Sequence, residues 1–255
     1  MIIKNKAELN EYQRIVDIAT NILSELKKIT KPGIYPIEID KTADKLCTKY
    51  NVIPAFKGVG SKNNKYMHST CISVNDVVVH GIPSSTRKLK PGDIVNVDFG
   101  IIKNGYVTDH CYTKGLEPLT SEKKKFINIG KKAVQAGVYK AVAGNKIGDI
   151  GHEIFSIVRS QGYDVVKQFT GHGIGKNLHE KPNIPAFGNK GEGTKLKKGM
   201  VLCVEAQIVQ GNDEVCFDDD GWTARTIDKK LSVMFEYMVV VQRNKPYILT
   251  KTMNW

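Results

Sequence analysis

Four carboxylates stand in segments whose other residues are typical of buried β-strands: Asp98, Asp109, Glu205 and Glu236. Asp is disfavoured in strands, and burying a charged carboxylate without a counter-charge is unfavourable. Such groups are therefore protonated, paired with basic side chains, or bound to metal ions. No lysine stands immediately beside any of the four acids in its segment. The sequence thus favours bound metal over ion pairing.

A predicted hairpin brings the first two acids together. Asn104-Gly105 is a strong two-residue turn signal between two apolar segments. With this turn, Asp98 faces Cys111 and Asp109 faces Gly100. The two aspartates are then diagonal neighbours on one face of the hairpin, with backbones about 7–8 Å apart. Their carboxylates can converge on ions placed between them.

A histidine between two glycines offers a nitrogen ligand for the same ions. His172 lies in Gly171-His172-Gly173, and His179 follows shortly after it. We expect a loop here, in which the glycines allow a tight turn and a close approach of the backbone to the centre. Two divalent ions would neutralise four carboxylates, and an oxygen-rich ligand set with one imidazole suits manganese, iron, cobalt or zinc. Two such ions about 3.5–4 Å apart form the usual centre that activates water for hydrolysis.

The spacing of apolar residues predicts the elements that position these side chains. Helical periodicity runs over residues 6 to about 30, 36 to about 50, 120 to about 142, and 147–162. Pro36 fits a first helical turn, and Thr120 is a capping residue. Strand-like segments cover 71–82, 92–102, 106–114, 200–210 and 231–242.

Two stretches of the chain repeat the same order of elements. LKPGDIVNVD (89–98) matches LKKGMVLCVE (196–205), and each follows a His-Gly-Ile segment, at 80–82 and 172–174. We expect a single catalytic domain over residues 1–255, built from similar halves of about 1–118 and 119–255 that are related by a pseudo-twofold axis. A cleft where the halves meet would hold the site.

These residues resemble those of the type I methionine aminopeptidases. The resemblance covers nearly the whole chain, in the same order and spacing, and rests on the motifs CISVNDVVVHGIP (71–83), GDIVNVDFGIIKNGYVTDHC (92–111), GHGIGKNLHEKP (171–182), GMVLCVEAQI (199–208), DGWT (220–223) and FEYMVVV (235–241). It implies an α+β pita-bread fold, in which helices cover an antiparallel sheet. It also implies a hydrolase that removes the N-terminal methionine from peptides and nascent proteins. Only 25 residues separate His179 from Glu205, which resembles type I and not the type II enzymes with their long insertion.

The resemblance further implies a dinuclear metal centre. Its ligands to two divalent ions would be Asp98, Asp109, His172, Glu205 and Glu236. Asp109 and Glu236 would bridge the two ions. Glu205 would also be catalytic, as the proton shuttle.

The same resemblance implies residues that bind the substrate. His80 would contact the nitrogen side of the scissile amide, and His179 would stabilise the developing oxyanion, so both would be catalytic as well. Cys71 and Trp222 match positions that line the pocket for the methionine side chain. Tyr66 is the candidate for a further pocket position.

The chain departs from the family pattern without losing a ligand. Ala206 stands where proline usually follows the glutamate, and Tyr237 stands where histidine normally follows Glu236. His110 and Cys111 replace small hydroxyl residues, and the segment 57–70 is a few residues longer than the minimal pattern. We therefore expect activity, while the substrate range stays open.

Two other functions compete with this interpretation. An X-Pro peptidase of the same fold usually has an extra N-terminal domain, for which the residues before Cys71 leave no room. A non-catalytic relative that binds ribosomes or RNA would be expected to have lost metal ligands, and all five are present. Nucleotide binding is not indicated, because GHGIG lacks both the GK[ST] ending and the GxGxxG spacing.

Composition indicates where the protein acts and which partners it binds. The net charge is +12, carried mainly by lysine, which favours diffuse attraction to a polyanionic surface such as the ribosome. No secretory leader or membrane-spanning segment is recognised, and the five cysteines are scattered. We expect a cytoplasmic monomer that acts on N-terminal methionine peptides and nascent chains, away from membranes.

Overall fold

The structure is a computed structural model and describes residues 1–251. Its helices are α1 (Lys6–Ile29), α2 (Pro36–Tyr50), α3 (Ser121–Tyr139) and α4 (Ile147–Ser160). They confirm the four predicted helices, with α3 and α4 ending slightly earlier than predicted. Thr120 caps α3 by accepting a hydrogen bond from the backbone N–H of Lys123, and Pro36 occupies the first turn of α2. None of the helices in this range is long and apolar enough to cross a membrane.

The strands in the described part of the chain are β1 (Ile53–Pro54), β2 (Gly60–Ser61), β3 (Asn64–Lys65), β4 (Thr70–Val74), β5 (Val77–Val79), β6 (Ile94–Phe99), β7 (Ile101–Lys103), β8 (Tyr106–Val107), β9 (His110–Gly115), β10 (Asp164–Val165), β11 (Gly171–Gly173), β12 (Glu180–Ile184), β13 (Val201–Val209), β14 (Val215–Phe217), β15 (Ala224–Thr226), β16 (Ser232–Val240) and β17 (Tyr247–Ile248). The two long predicted strands of the second half, β13 and β16, are confirmed.

Most of these strands form one large antiparallel sheet. Its order is β12-β11-β13-β16-β9-β6-β4, with β10 beside β13 and β17 beside β16. Helices α1 and α2 pack near β6 and β4, whereas α3 packs on β13 and β16 and α4 packs on α3. Each helix pair buries its own apolar cluster against the sheet. The expected α+β class is therefore confirmed.

Three predicted strands are interrupted close to the candidate site. Segment 71–82 divides into β4 and β5 at a turn where Asn75 has a φ of 58°. Segment 92–102 divides at Gly100, and segment 106–114 divides at Thr108 and Asp109. A side chain at Gly100 would collide with the carbonyl oxygen of Thr108, so this crossing requires glycine.

The hairpin register agrees with the prediction on both sides of these interruptions. Asp98 pairs with Cys111 between β6 and β9, and Ile102 pairs with Val107 between β7 and β8. Both pairs follow from a turn at Asn104-Gly105. Asp109 lies between β8 and β9 and Gly100 lies between β6 and β7, so neither belongs to a strand, but the pairs on both sides keep the two residues opposite each other, as predicted.

Candidate active site

Three of the four acids lie in one row across the sheet. Asp98 of β6 faces Cys111 of β9, Cys111 faces Glu236 of β16, and Glu236 faces Glu205 of β13. Directly opposed residues of antiparallel strands project from the same face, and like charges in that position repel. The strand pairing therefore places acidic side chains together on one face of the sheet.

The other face of these strands packs against helices. Val204, Ala206, Phe235 and Tyr237 are buried in the apolar cluster beneath α3 and α4. The Tyr237 hydroxyl accepts a hydrogen bond of 2.9 Å from Nε2 of Gln135 in α3. Two departures from the family pattern, Ala206 and Tyr237, thus lie on the helix side and not among the acids.

Asp109 and His172 extend the acidic row into a cluster. A carboxylate oxygen of Asp109 lies within 4.8 Å of oxygens of Asp98 and Glu236. The Nε2 atom of His172 lies 3.6 Å from Oδ2 of Asp109 and 3.8 Å from Oε1 of Glu205. The structure thus brings the five predicted ligand residues around one space.

Burial and repulsion perturb the ionisation of this cluster. Burial, followed by repulsion from Asp109 and Glu205, raises the pKa of Asp98 and that of Glu236 well above the ordinary carboxyl values. Burial also raises the pKa of Glu205 to about 7. For His172, burial disfavours the charged form, but Asp109 and Glu205 outweigh it and raise the pKa to about 9.

Several oxygens of the cluster accept no hydrogen bond. Among residues 1–251, Oδ1 of Asp98, Oδ1 of Asp109 and Oε1 of Glu236 are buried and lack a hydrogen-bond partner. Leaving such atoms unsatisfied is unfavourable, and divalent cations would both satisfy them and cancel the mutual repulsion. Four carboxylates and one imidazole therefore fit a pair of divalent metal ions.

The segment around His172 is a strand, so the prediction of a loop was wrong. Strand β11 lies between β12 and β13, and His172 faces Cys203. A side chain at Gly171 would collide with the carbonyl oxygen of Cys203, and one at Gly173 with that of Lys181. The glycines are needed because neighbouring strands approach closely, and not because the chain turns.

His80 reaches the cluster from a strained backbone. It follows β5 and has a φ of 56°, which is uncommon for a residue with a side chain. Strain of this kind is concentrated at functional sites. The ring packs edge-on against Phe169 and Trp222, with centroids 5.5 and 6.2 Å away. Burial, followed by repulsion from His179, lowers the pKa of His80, so the imidazole is neutral at neutral pH.

His179 approaches the cluster from the end of the segment before β12. Its ring packs edge-on against that of His172, with centroids 4.5 Å apart. Burial, followed by the charge of His172, lowers the pKa of His179. A neutral imidazole keeps one N–H, which can donate a hydrogen bond to a substrate oxygen.

Two adjoining cavities open beside these side chains. One, of about 110 Å³, is lined by the predicted pocket residues Tyr66, Cys71 and Trp222. The other, of about 190 Å³, is lined by His172, Glu205 and Glu236. Both are lined by His80, Asp98, Asp109 and His179. Larger cavities, such as those of about 330 and 340 Å³, contain none of the predicted site residues.

Nine residues that line these cavities were not predicted, among them Phe169, Leu178 and Gln207. Gln207 donates a hydrogen bond of 2.5 Å from Nε2 to Oε2 of Glu205. The sequence does indicate Gln207, because a residue two positions after Glu205 in a strand projects from the same face of the sheet as Glu205. Phe169 and Leu178 are single apolar residues outside strands, and only the fold shows that they line the cavities.

A helix-covered antiparallel sheet whose open face carries four converging carboxylates and an imidazole defines a hydrolase that works with a pair of divalent ions. The sequence pattern of metallopeptidase family M24 matches residues 10–243. The chain belongs to metallopeptidase family M24.

Individual relatives are similar over their full lengths. The chain is 41% identical to a methionine aminopeptidase from Clostridium acetobutylicum, with 98% of each chain covered. It is 36% identical to methionine aminopeptidase 1 from Bacillus subtilis, with 98% of this chain and 99% of the relative covered. The crystal structure of methionine aminopeptidase from Thermotoga maritima superposes with a TM-score of 0.93 at 33% identity, over 98% of this chain and 99% of that one.

A prolidase from Pyrococcus furiosus shares the fold at a lower level. Its TM-score is 0.78 at 24% identity, and the match covers 99% of this chain but 66% of the prolidase. At this identity the similarity shows the fold alone. Together, the relatives confirm the expected pita-bread fold.

Proposed function

We propose that this protein is an aminopeptidase that removes the N-terminal methionine from peptides and nascent proteins. The observation that carries the proposal is a small aromatic pocket that adjoins a cluster of four carboxylates and an imidazole. Similarity to methionine aminopeptidases over the whole chain supports the same activity.

The pocket suits one long, unbranched apolar side chain. The rings of Tyr66 and Trp222 meet edge-on at 5.2 Å, and the Tyr66 hydroxyl donates a hydrogen bond of 2.9 Å to the carbonyl of Thr70, which fixes this wall. Phe56, Val59, Cys71 and Leu178 add to the apolar lining. Methionine is flexible enough to fill an irregular pocket, and its sulfur packs favourably against aromatic rings.

Asp98 and Asp109 line both cavities, which supports a position for the substrate amine between them. A peptide with its first side chain in the pocket has its α-amine beside these carboxylates, where negative charge favours it. The first peptide bond then lies in the second cavity, beside Glu205. This arrangement selects the first residue of a chain for removal.

The reaction follows from the groups around that bond. Two divalent ions held by Asp98, Asp109, His172, Glu205 and Glu236 would polarise the carbonyl and lower the pKa of a bound water towards neutrality. Glu205, held by Gln207, accepts the proton from the attacking water and passes it to the leaving amine. His80 faces the amide nitrogen, and the N–H of neutral His179 donates to the oxyanion.

The decisive experiment compares two peptides. The metal-stripped protein is assayed on Met-Ala-Ser and on an X-Pro peptide, with manganese, iron, cobalt and zinc added in turn. We expect cleavage of Met-Ala-Ser that depends on added metal. Cleavage of the X-Pro peptide alone would replace this proposal with a prolidase activity.

The role of Glu205 is tested by Glu205→Gln. Glutamine keeps the size of the side chain but cannot accept a proton, so kcat should fall by about a hundredfold or more. Circular dichroism of the variant checks its fold. Normal turnover by the folded variant would remove Glu205 from proton transfer.

We also propose that the protein is a cytoplasmic monomer that docks on ribosomal RNA. Three lysines close together beside the end of α1 support this: Nζ of Lys114 donates a hydrogen bond of 2.7 Å to the carbonyl of Lys27, and burial, followed by the charge of Lys131, lowers the pKa of Lys27. Lysines that repel one another gain from a nearby phosphate backbone.

Ribosome binding is measured by co-sedimentation at increasing salt. The bound fraction should fall steeply with salt, and Lys131→Glu should weaken binding more than Lys62→Glu, a substitution at an exposed lysine elsewhere. Equal effects of the two substitutions, or binding independent of salt, would count against docking through this patch. Light scattering of the same protein measures its oligomeric state.

A further inference from the structure

A solvent-exposed aromatic ring lies just outside the second cavity. Phe217 ends β14 and is 56% exposed. Its neighbour two positions earlier, Val215, projects from the same face of the strand and packs with Phe169 on an apolar cluster beneath the cleft. Phe217 is therefore held on the side of β14 that faces the cleft.

Aromatic rings connect this position to the site. His80 and Phe169 have ring centroids 5.5 Å apart, and Phe169 and Phe217 have centroids 6.5 Å apart. We call Phe169 and Phe217 the aromatic ledge. Each step is close to the length of two extended residues, about 7 Å. A chain that leaves the second cavity along these rings therefore passes Phe217 within its first few residues.

The charge around the ledge indicates what can bind there. Residues 212–226 contain Asp213, Glu214, Asp218, Asp219 and Asp220 against Arg225, and Lys167, two positions before Phe169, pairs with Asp213 at 2.8 Å. Acidic residues therefore outnumber basic ones here, although the whole chain has a net charge of +12. Acidic groups repel nucleic-acid phosphates. The ledge is thus unsuited to RNA, and its inner ring, Phe169, lines the cavity proposed for the peptide bond.

We propose that the aromatic ledge binds the third and fourth residues of the peptide substrate and favours apolar side chains there. This subsite rests on the proposed aminopeptidase activity. It would make the rate of methionine removal depend on residues beyond the cleaved bond. The reaction itself is unchanged, because the ledge holds only the part of the substrate that becomes the product.

The test is a series of peptides in which a phenylalanine occupies the third position, the fourth position or neither. The protein, loaded with manganese, is assayed on Met-Ala, Met-Ala-Ser-Ser, Met-Ala-Phe-Ser and Met-Ala-Ser-Phe. We expect kcat/KM for at least one phenylalanine peptide to exceed that for Met-Ala-Ser-Ser by about three- to tenfold, the contribution of one aromatic pair. A ratio near one for both phenylalanine peptides would overturn the proposal.

Substitutions then assign the preference to the ledge. Phe217→Ser should lower the ratio of kcat/KM between the preferred phenylalanine peptide and Met-Ala-Ser-Ser to about one, and Phe217→Tyr should leave this ratio unchanged. Ile227→Ser is the matched control, because Ile227 is 54% exposed and directly follows β15 of the same hairpin, and it should keep the original ratio. Retention of the preference by Phe217→Ser would overturn the proposal, as would an equal loss on Met-Ala and on the phenylalanine peptides.

A binding measurement separates this subsite from catalysis. Cys216 is exposed on the opposite face of β14, and the other four cysteines are buried, so a fluorescent label can be attached to it selectively. Addition of the product peptide Ala-Phe-Ser or Ala-Ser-Phe should change its emission more than Ala-Ser-Ser does. Identical responses would contradict the ledge. Failure of the wild-type protein to cleave even Met-Ala would instead reject the aminopeptidase activity.

Discussion

The two His-Gly-Ile segments have the same sequence but different structures. His80 follows an interrupted strand and has a φ of 56°, whereas His172 lies within β11, between two other strands. The ring of His80 packs against Phe169, while Nε2 of His172 faces Asp109. Backbone pairing, and not the motif, therefore decides which histidine faces the pocket and which joins the acids.

The strands that follow these segments are much more alike. Gly92 and Gly199 occupy equivalent places in the repeated sequence, with φ values of 85° and 90°. The strands after them, β6 and β13, carry Asp98 and Glu205 into the same row of side chains. The two copies of the repeated sequence therefore have similar structures in β6 and β13, where hydrogen bonds between strands fix the register. They have different structures in the His-Gly-Ile segments, which border the cleft.

The largest expected effect comes from removing the histidine that joins the acids. His172→Ala deletes the one imidazole among the five predicted ligands, so metal affinity should fall by about a hundredfold and activity by about a thousandfold. Calorimetric titration with manganese and kcat at saturating metal give the two numbers. Metal binding as tight as in the wild type would show that His172 is not a ligand.

His80→Ala should separate activity from metal binding. The ring contacts the substrate side of the cleft, so its loss should reduce kcat/KM by about a hundredfold, the usual effect of one stabilising group. The same titration should give a manganese affinity within about twofold of the wild type. A parallel fall in both quantities would mean that the two histidines do not differ in the way their backbones indicate.

A stability measurement tests the acidic row itself. In the metal-free protein the pKa of Glu205 is raised to about 7 and that of His172 to about 9. An acid with a raised pKa stabilises the fold when protonated and loses that contribution as pH rises. A histidine with a raised pKa also loses its contribution as pH rises through the folded value. Both groups lose their stabilising contribution as pH rises, so the Tm of the metal-free protein should decrease as the pH is raised from about 5 to about 9.

The Tm of the metal-free protein should fall by about 5–10 °C over this pH range, if the raised pKa of Glu205 corresponds to about 3 kcal/mol of folding free energy. Saturating manganese should flatten this dependence, because bound cations replace the protons. Differential scanning calorimetry across the pH range, with and without metal, measures both curves. Parallel curves would contradict a metal site at these carboxylates.

Much of this arrangement can be predicted from sequence because a few local rules determine it. A two-residue turn at Asn104-Gly105 fixes which residues face each other, so the pairing of Asp98 with Cys111 follows directly. Helix ends follow from capping residues such as Thr120. The conflict between charge and burial in apolar strands likewise singles out the acids from sequence alone.

The remaining features depend on contacts between distant segments. Whether Gly173 lies in a turn or a strand depends on the approach of Lys181 and β12, which the local sequence does not show. Phe169 lines the cavity through ring contacts with His80 and Phe217, which are distant from it in the sequence.

The smallest expected effect is a difference in stability between glycine and alanine variants at each histidine. It gives the sharpest comparison of the two positions, because it depends on the backbone conformation alone. Alanine and glycine both remove the imidazole, so the stability difference between these two variants at one position reports the local conformation. At His80, glycine should be more stable than alanine by about 1 kcal/mol, since only alanine is strained at a positive φ. At His172, within a strand, glycine should be less stable by about 0.5–1 kcal/mol.

The four variants are compared by urea unfolding in the metal-free state, so that differences in metal affinity do not enter. The predicted differences have opposite signs at the two positions, and that reversal is the result to look for. The same sign at both positions would show that the two segments share one backbone conformation in solution. The contrast between a strained His80 beside the pocket and a paired His172 among the acids would then be lost.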